Sequence, residues 1–125
     1  MKNFLILLFI VFSFYSCNNN SIEKIDVNKI TEVCDLLDAV EIIINDFEKI
    51  AKEYGFKEID DIEKDNISFD DWKKIKMIEF KMEEIEDRAE YFRDVYEDYD
   101  DFEKVLKDCP NFAEVTMKME YYDLD

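Results

Sequence analysis

Histidine is absent from the chain. That removes the side chain most used for proton transfer near neutral pH, so Ser-His-Asp and Cys-His chemistry are excluded. Glycine and proline occur once each, as Gly55 and Pro110. A phosphate-cradling loop needs several glycines to bring its backbone against the anion, so none can be built here. Beyond residue 17 the Ser and Thr hydroxyls are only Ser21, Thr31, Ser68 and Thr116. Bases are also scarce: 16 Lys and Arg stand against 33 Asp and Glu, a formal charge of −17. Such a surface repels nucleic acid and anionic membranes. It suits a basic partner, cations, or simple solvation. Adjacent acids such as Asp70–Asp71 and Glu83–Glu84 recur so often that none stands out as a glycosidase-like pair. We expect no catalytic residues, no metal and no cofactor.

The chain does have an apolar opening. Lys2 is followed by an unbroken run from Phe4 to Phe12, then by Ser13, Phe14, Tyr15, Ser16 and Cys17. A basic tip, a short apolar segment and a small residue before the junction read as an export signal. A membrane-spanning helix needs about 20 apolar residues, and here Asn18, Asn19 and Asn20 intervene first. The cysteine at the junction resembles that of a bacterial lipoprotein signal, in which the thiol is lipidated and becomes the new N-terminus. Tyr15 and Phe14 depart from that pattern, while Ser16 fits it. Ordinary secretory cleavage and an uncleaved anchor are the alternatives.

On the lipoprotein reading, residues 1–16 are the signal peptide and Cys17 is the lipidation site. Residues 17–26 are anchor and tether, with Ile22 and Ile25 placed to dock on the core. Residues 27–125 are an acidic helical domain. Removing residues 1–16 leaves 109, with a charge of −18 because Lys2 leaves and every acid stays. That is one domain with a modest core. Asn18, where an acid would favour inner-membrane retention, points to the outer membrane. High charge alone would suggest disorder, but large apolar residues at regular spacing argue for order.

The first helix is expected from about Val27 to Tyr54, capped by Asp26 or Asn28. Its stripe is Ile30, Val33, Leu37, Val40, Ile44, Phe47, Ala51 and Tyr54, widened by Leu36, Ile43 and Ile50. That width covers a bundle core and exceeds a two-stranded seam. The other face is charged and includes Asp38, Glu41, Asp46 and Glu48. Gly55 sits where a left-handed closing residue is wanted, and Phe56 can fold back on the last turn. Residues 57–67 form the connection. Asp61, Glu63 and Asp65 fall at calcium-loop positions, but the sixth place is Asn66 and the twelfth Trp72, so the closing bidentate acid is missing. A solvated loop fits better.

The second helix starts near Ser68, with Asp71 three later in a loose capping box. Ile75, Ile78, Met82, Ile85, Ala89, Phe92, Tyr96 and Tyr99 repeat every seven, while Phe80, Tyr91 and Val95 lie off the stripe and could face a third helix. A third segment begins near Asp101, with Phe102, Val105, Leu106 and Cys109 on one face. Pro110 interrupts it. Phe112, Val115, Met119 and Tyr122 then continue as a helix, although Val115, Met117, Met119 and Tyr121 also alternate as a strand would. The fold class is all-α: an antiparallel helical hairpin with a third, Pro-interrupted helix, like a three-helix bundle.

Two features carry chemistry. The stretch from Asp94 to Glu103 alternates acids and aromatics. Tyr96, Asp98, Tyr99, Asp100 and Asp101 are a candidate surface for a basic partner; the alternative is a turn whose rings point inward. With Cys17 assigned to lipid, Cys34 and Cys109 form a pair in a disulfide-permitting compartment. Cys34 stands about 9 Å above Asn28 and Cys109 about 12 Å above Asp101 along helices that leave the same end, so the levels match. Two buried free thiols are the alternative. The absence of CxxC argues against redox catalysis.

FSFYSCNNN followed by a charged helical hairpin resembles the small helical lipoproteins of Bacteroidetes and spirochaetes. The resemblance implies an envelope location and carries over no functional residues. The function expected is non-catalytic: binding, or envelope structure. The alternative is an acidic inhibitor or immunity-type protein that occludes a basic enzyme or toxin. The partners expected are the membrane, through the lipid, and a basic protein, with no nucleic acid. The oligomeric state is left open.

Overall fold

The computed structural model describes residues 22–96 and 99–124. Among the described residues the α-helices are α1 (Val33–Tyr54), α2 (Phe69–Val95), α3 (Tyr99–Lys107) and α4 (Phe112–Tyr121). Short 3-10 turns lie at Ile22–Lys24, Val27–Lys29, Ile59–Asp61 and Lys64–Asn66. No strand occurs among the described residues. The expected signal peptide and Cys17 lie outside them.

The wide stripe of α1 explains the architecture, because the other three α-helices all pack on it. Ile43, Ile44 and Phe47 have no exposed surface, and Leu36, Leu37, Val40, Ile50 and Ala51 are buried beside them. Burying each large apolar side chain contributes about 1.5–3 kcal/mol. The edge of the Phe47 ring meets Tyr122, with centroids 5.3 Å apart. The helix closes as expected: Gly55 takes φ +79°, and the N–H groups of Gly55 and Phe56 both donate to the Ala51 carbonyl, at 2.8 and 2.9 Å. Phe56 folds back to stack on Tyr54.

The start of α1 differs from expectation. The chain makes a 3-10 turn at Val27–Lys29, is extended at Ile30 (ψ 122°), and enters α1 at Val33 behind Glu32, which makes no side-chain cap. Neither Asp26 nor Asn28 caps α1. The cause is remote: Arg88 donates twice to the Ile30 carbonyl, at 3.0 and 2.6 Å, and Lys81 donates to the Ile25 carbonyl at 2.8 Å. With the Ile30 carbonyl committed to Arg88, and Lys81 holding the chain just ahead at Ile25, the segment stays in short turns. Ile22 and Val27 are each 1% exposed, so the chain is packed on the core from Ile22 onward.

α2 begins at the expected cap. The Ser68 hydroxyl accepts the Asp71 N–H at 3.2 Å and donates to its carboxylate at 2.9 Å. Tyr54 adds a third member, donating to Asp71 Oδ2 at 2.6 Å and accepting the Ser68 N–H at 3.2 Å. The phenol thus takes the Ser68 N–H that the acid of a capping box normally accepts. Ile75, Ile78, Ile85 and Phe92 bury the inner face. α2 ends at Val95, and Tyr99, the last member of the expected sevenfold repeat, opens α3 instead.

Pro110 separates α3 from α4, since it lacks an N–H and disfavours helix at the residue before it. The C-terminal alternation is helical: Val115 is buried while Met117 and Tyr121 are 64% and 60% exposed. Phe80, Tyr91 and Val95 do not face a third helix. They are 57%, 50% and 57% exposed, while α4 packs on α1 and α3 meets both α1 and α2.

Candidate functional site

Asp38, Glu41, Asn45 and Glu48 recur at three- and four-residue steps, which puts them on one stripe of α1. In the fold that stripe lines an open groove of about 630 Å³, together with Asp46 and Lys49. α4 and the residues flanking it supply the matching donors. The Asn111 amide donates to Asp38 at 3.0 Å and to Glu41 at 2.8 Å. Lys118 donates to Asn45 at 2.9 Å, and Tyr122 donates to Glu48 at 3.0 Å. Asp46, expected on the solvated face, is 6% exposed and lies between Lys49 and Lys74, at 3.7 and 3.8 Å.

The two ends of the groove differ in charge. Lys52 and Lys118 lie 3.3 and 3.8 Å from Glu48. Burial opposes the charged form of Glu48, but the hydrogen bonds from Tyr122 and Lys52 outweigh it and hold the carboxyl below its ordinary range. Burial and the bond to Glu48 push the Tyr122 phenol up to about 12. At the other end, Asp38 and Glu41 are held by the neutral Asn111 amide, and among the described residues no cation lies within ion-pair distance of either. Two carboxylates are thus fixed in place with their charge uncompensated. Such a pair can receive an ammonium or guanidinium group by charge-assisted hydrogen bonds.

The residues singled out in the sequence fall elsewhere. Tyr96 is half-buried, its ring 6.1 Å from Phe102. Asp100 and Asp101 are exposed in the first turn of α3, at the positive end of its dipole. Asp98 and the Tyr99 side chain lie outside the described residues. Cys34 and Cys109 are bonded, with Cα atoms 5.5 Å apart, tying the first turn of α1 to the end of α3. In the connection, Glu63 accepts a long hydrogen bond from Asn66, at 3.4 Å, between two 3-10 turns. Among the described residues no group of three or more acids and cysteines is arranged to hold a metal, and no helix is long and apolar enough to cross a membrane.

Asn45, Asn111 and Lys118 were not singled out from the sequence. The one signal was the polar stripe of α1; its partners lie 70 to 74 residues away, beyond any local periodicity. No protein-family model, no curated protein and no solved structure matches this chain.

Proposed function

We propose that this chain is an exported, lipid-anchored, non-catalytic binding protein of a bacterial envelope, held through Cys17, whose acidic domain engages a basic protein. The observation that carries the reading is the Cys34–Cys109 bridge. Disulfides persist in oxidising compartments and are rare in the cytosol, and the leader at residues 1–16 is the sequence counterpart of that address. The lack of histidine and the single glycine support binding over catalysis. The uncompensated carboxylates of Asp38 and Glu41 support a cationic partner at that end of the groove. Opposed contacts, Tyr54 with Asp71 and Ile30 with Arg88, support reading α1 and α2 as an antiparallel hairpin. α3 and α4 are then one arm interrupted at Pro110.

Intact-mass analysis of the protein from its native cells tests the address. A chain starting at a diacylated Cys17, with Cys34 and Cys109 oxidised, is expected, and globomycin should leave the precursor uncleaved. Retention of Met1 with two free thiols would overturn the reading. In-cell crosslinking with mass spectrometry tests the partner. A strongly basic protein should be captured, and Asp38→Asn with Glu41→Gln should abolish the capture. Capture that ignores both substitutions removes the groove from the proposal. A second reading, an inhibitor or immunity-type protein, is favoured by how firmly Asn111 holds the two carboxylates. It requires that the captured partner lose its activity when this chain is added.

A further inference from the structure

We infer that the outward face of α2 docks on the same face of a second copy of this chain, antiparallel, about a two-fold axis at Phe80. The inner face of α2 carries Ile75, Ile78, Ile85 and Phe92. On the side opposite the core, Phe69, Phe80 and Tyr91 recur every eleven residues and are 64%, 57% and 50% exposed. Eleven residues is close to three helical turns, so the three rings stand in line.

The positions between them make this face its own complement. Counting outward from Phe80, Lys76 and Glu84 stand four residues away on either side, Lys73 and Asp87 seven, and Phe69 and Tyr91 eleven. Two copies laid antiparallel with Phe80 on Phe80 therefore set Lys73 level with Asp87 of the other copy, Lys76 level with Glu84, and Phe69 level with Tyr91. The outer levels pair opposite charges or two rings; at the inner one Lys76 and Glu84 already pair within their own chain, with Glu79 at 2.9 Å and Lys81 at 3.1 Å. A parallel arrangement would set Lys73 on Lys73 and Asp87 on Asp87, which costs energy at each level. Lys73 and Asp87 are also unpaired by the fold itself: Lys73 rests over the Phe69 ring at 4.5 Å, and neither makes an ion pair among the described residues. A two-fold interface needs such self-complementarity.

The stripe is about 33 Å long and about 12 Å wide. That is about 400 Å² on each copy, below the 1,200–2,000 Å² total typical of a stable complex. The dimer is therefore weak in dilute solution and gains where copies are concentrated. It uses α2 and leaves the α1 groove open, so it stands or falls independently of the proposed function.

Disulfide crosslinking of the full chain in cells tests the register. Phe80→Cys should give a covalent dimer above the wild-type background. Phe69→Cys and Tyr91→Cys should each give none alone, because like positions lie about 33 Å apart, and should give a dimer when co-expressed. In the Phe80→Cys background, Lys73→Glu or Asp87→Lys should lower the dimer yield about tenfold, and the two together should restore it. An unchanged, oxidised Cys34–Cys109 pair reports that each variant folds. The inference is overturned if Phe80→Cys crosslinks no more than wild type, if Phe69→Cys alone crosslinks as readily as the mixture, or if the charge swap gives no rescue. A monomeric chain that instead sediments with phosphatidylethanolamine–phosphatidylglycerol vesicles through Phe80 also overturns it, in favour of a lipid surface.

Discussion

Reducing the Cys34–Cys109 bridge should destabilise the domain through its unfolded chain. The two cysteines are 75 residues apart, so the closed loop spans most of the folded domain. On the chain-entropy relation a loop of that size stabilises by about 4.5 kcal/mol. Native packing should change little on reduction, because α1 also meets the α3–α4 segment through Asn111, Lys118 and Tyr122. For a domain of about 100 residues, 1 kcal/mol moves the melting temperature by about 4–8 °C, so reduction should lower it by about 20 °C. Thermal unfolding followed by far-ultraviolet circular dichroism, with and without a phosphine reductant, measures this. Cys34→Ala, Cys109→Ala and the double substitution should all melt near the reduced protein, since losing either thiol removes the whole bridge. A reduced form melting within about 3 °C of the oxidised one would refute the loop-entropy argument.

Three further outcomes follow from single side chains. Burial and the bond to Glu48 push the Tyr122 phenol from 10.0 up to about 12 in the fold; its contribution is whole below pH 10 and is lost as pH rises through 12, at most about 3 kcal/mol. Denaturant titrations across that window should show the decline, and Tyr122→Phe should flatten it relative to wild type. The Tyr54 and Ser68 hydrogen bonds hold the Asp71 carboxyl below its ordinary value of 3.8; its contribution is whole above that value and is lost as pH falls through the lowered one. Tyr54→Phe should cost about 1 kcal/mol at neutral pH and move the Asp71 titration, followed by nuclear magnetic resonance, back toward 3.8. Gly55 has φ +79° and open space where a Cβ would go, so Gly55→Ala should cost only backbone strain, about 1–2 kcal/mol in equilibrium unfolding; a neutral result would remove that argument.

Local rules carried much of the fold. The repeats of α1 and α2 showed which faces are buried, because burial follows the helical period whatever the partner. Gly55 and Ser68 marked a helix end and a helix start through backbone geometry and one hydroxyl. The cysteine pairing was legible from the even count left once Cys17 is set aside, whereas the levels expected from helix rise do not hold, since Cys34 lies in the first turn of α1 and Cys109 beyond the end of α3. The candidate surface was less legible. The sequence left the acids and rings around Tyr96 open between a partner surface and an inward turn, and Tyr96 is half-buried beside Phe102; the groove on α1 is one that local spacing could not complete.

What the sequence determined by itself is therefore the helical class, the buried stripes, the caps at Gly55 and Ser68, and the acidic surface. Each depends on residues within a few positions of one another. Tertiary structure decided where α1 begins, since Arg88 reaches the Ile30 carbonyl 58 residues away. It also decided that Asn111, just before α4, donates to Asp38 and Glu41, and that Phe80 and Tyr91 face outward. Those outcomes depend on which helix packs on which. Helical periodicity says that a face must be covered, and only the packed chain says by what.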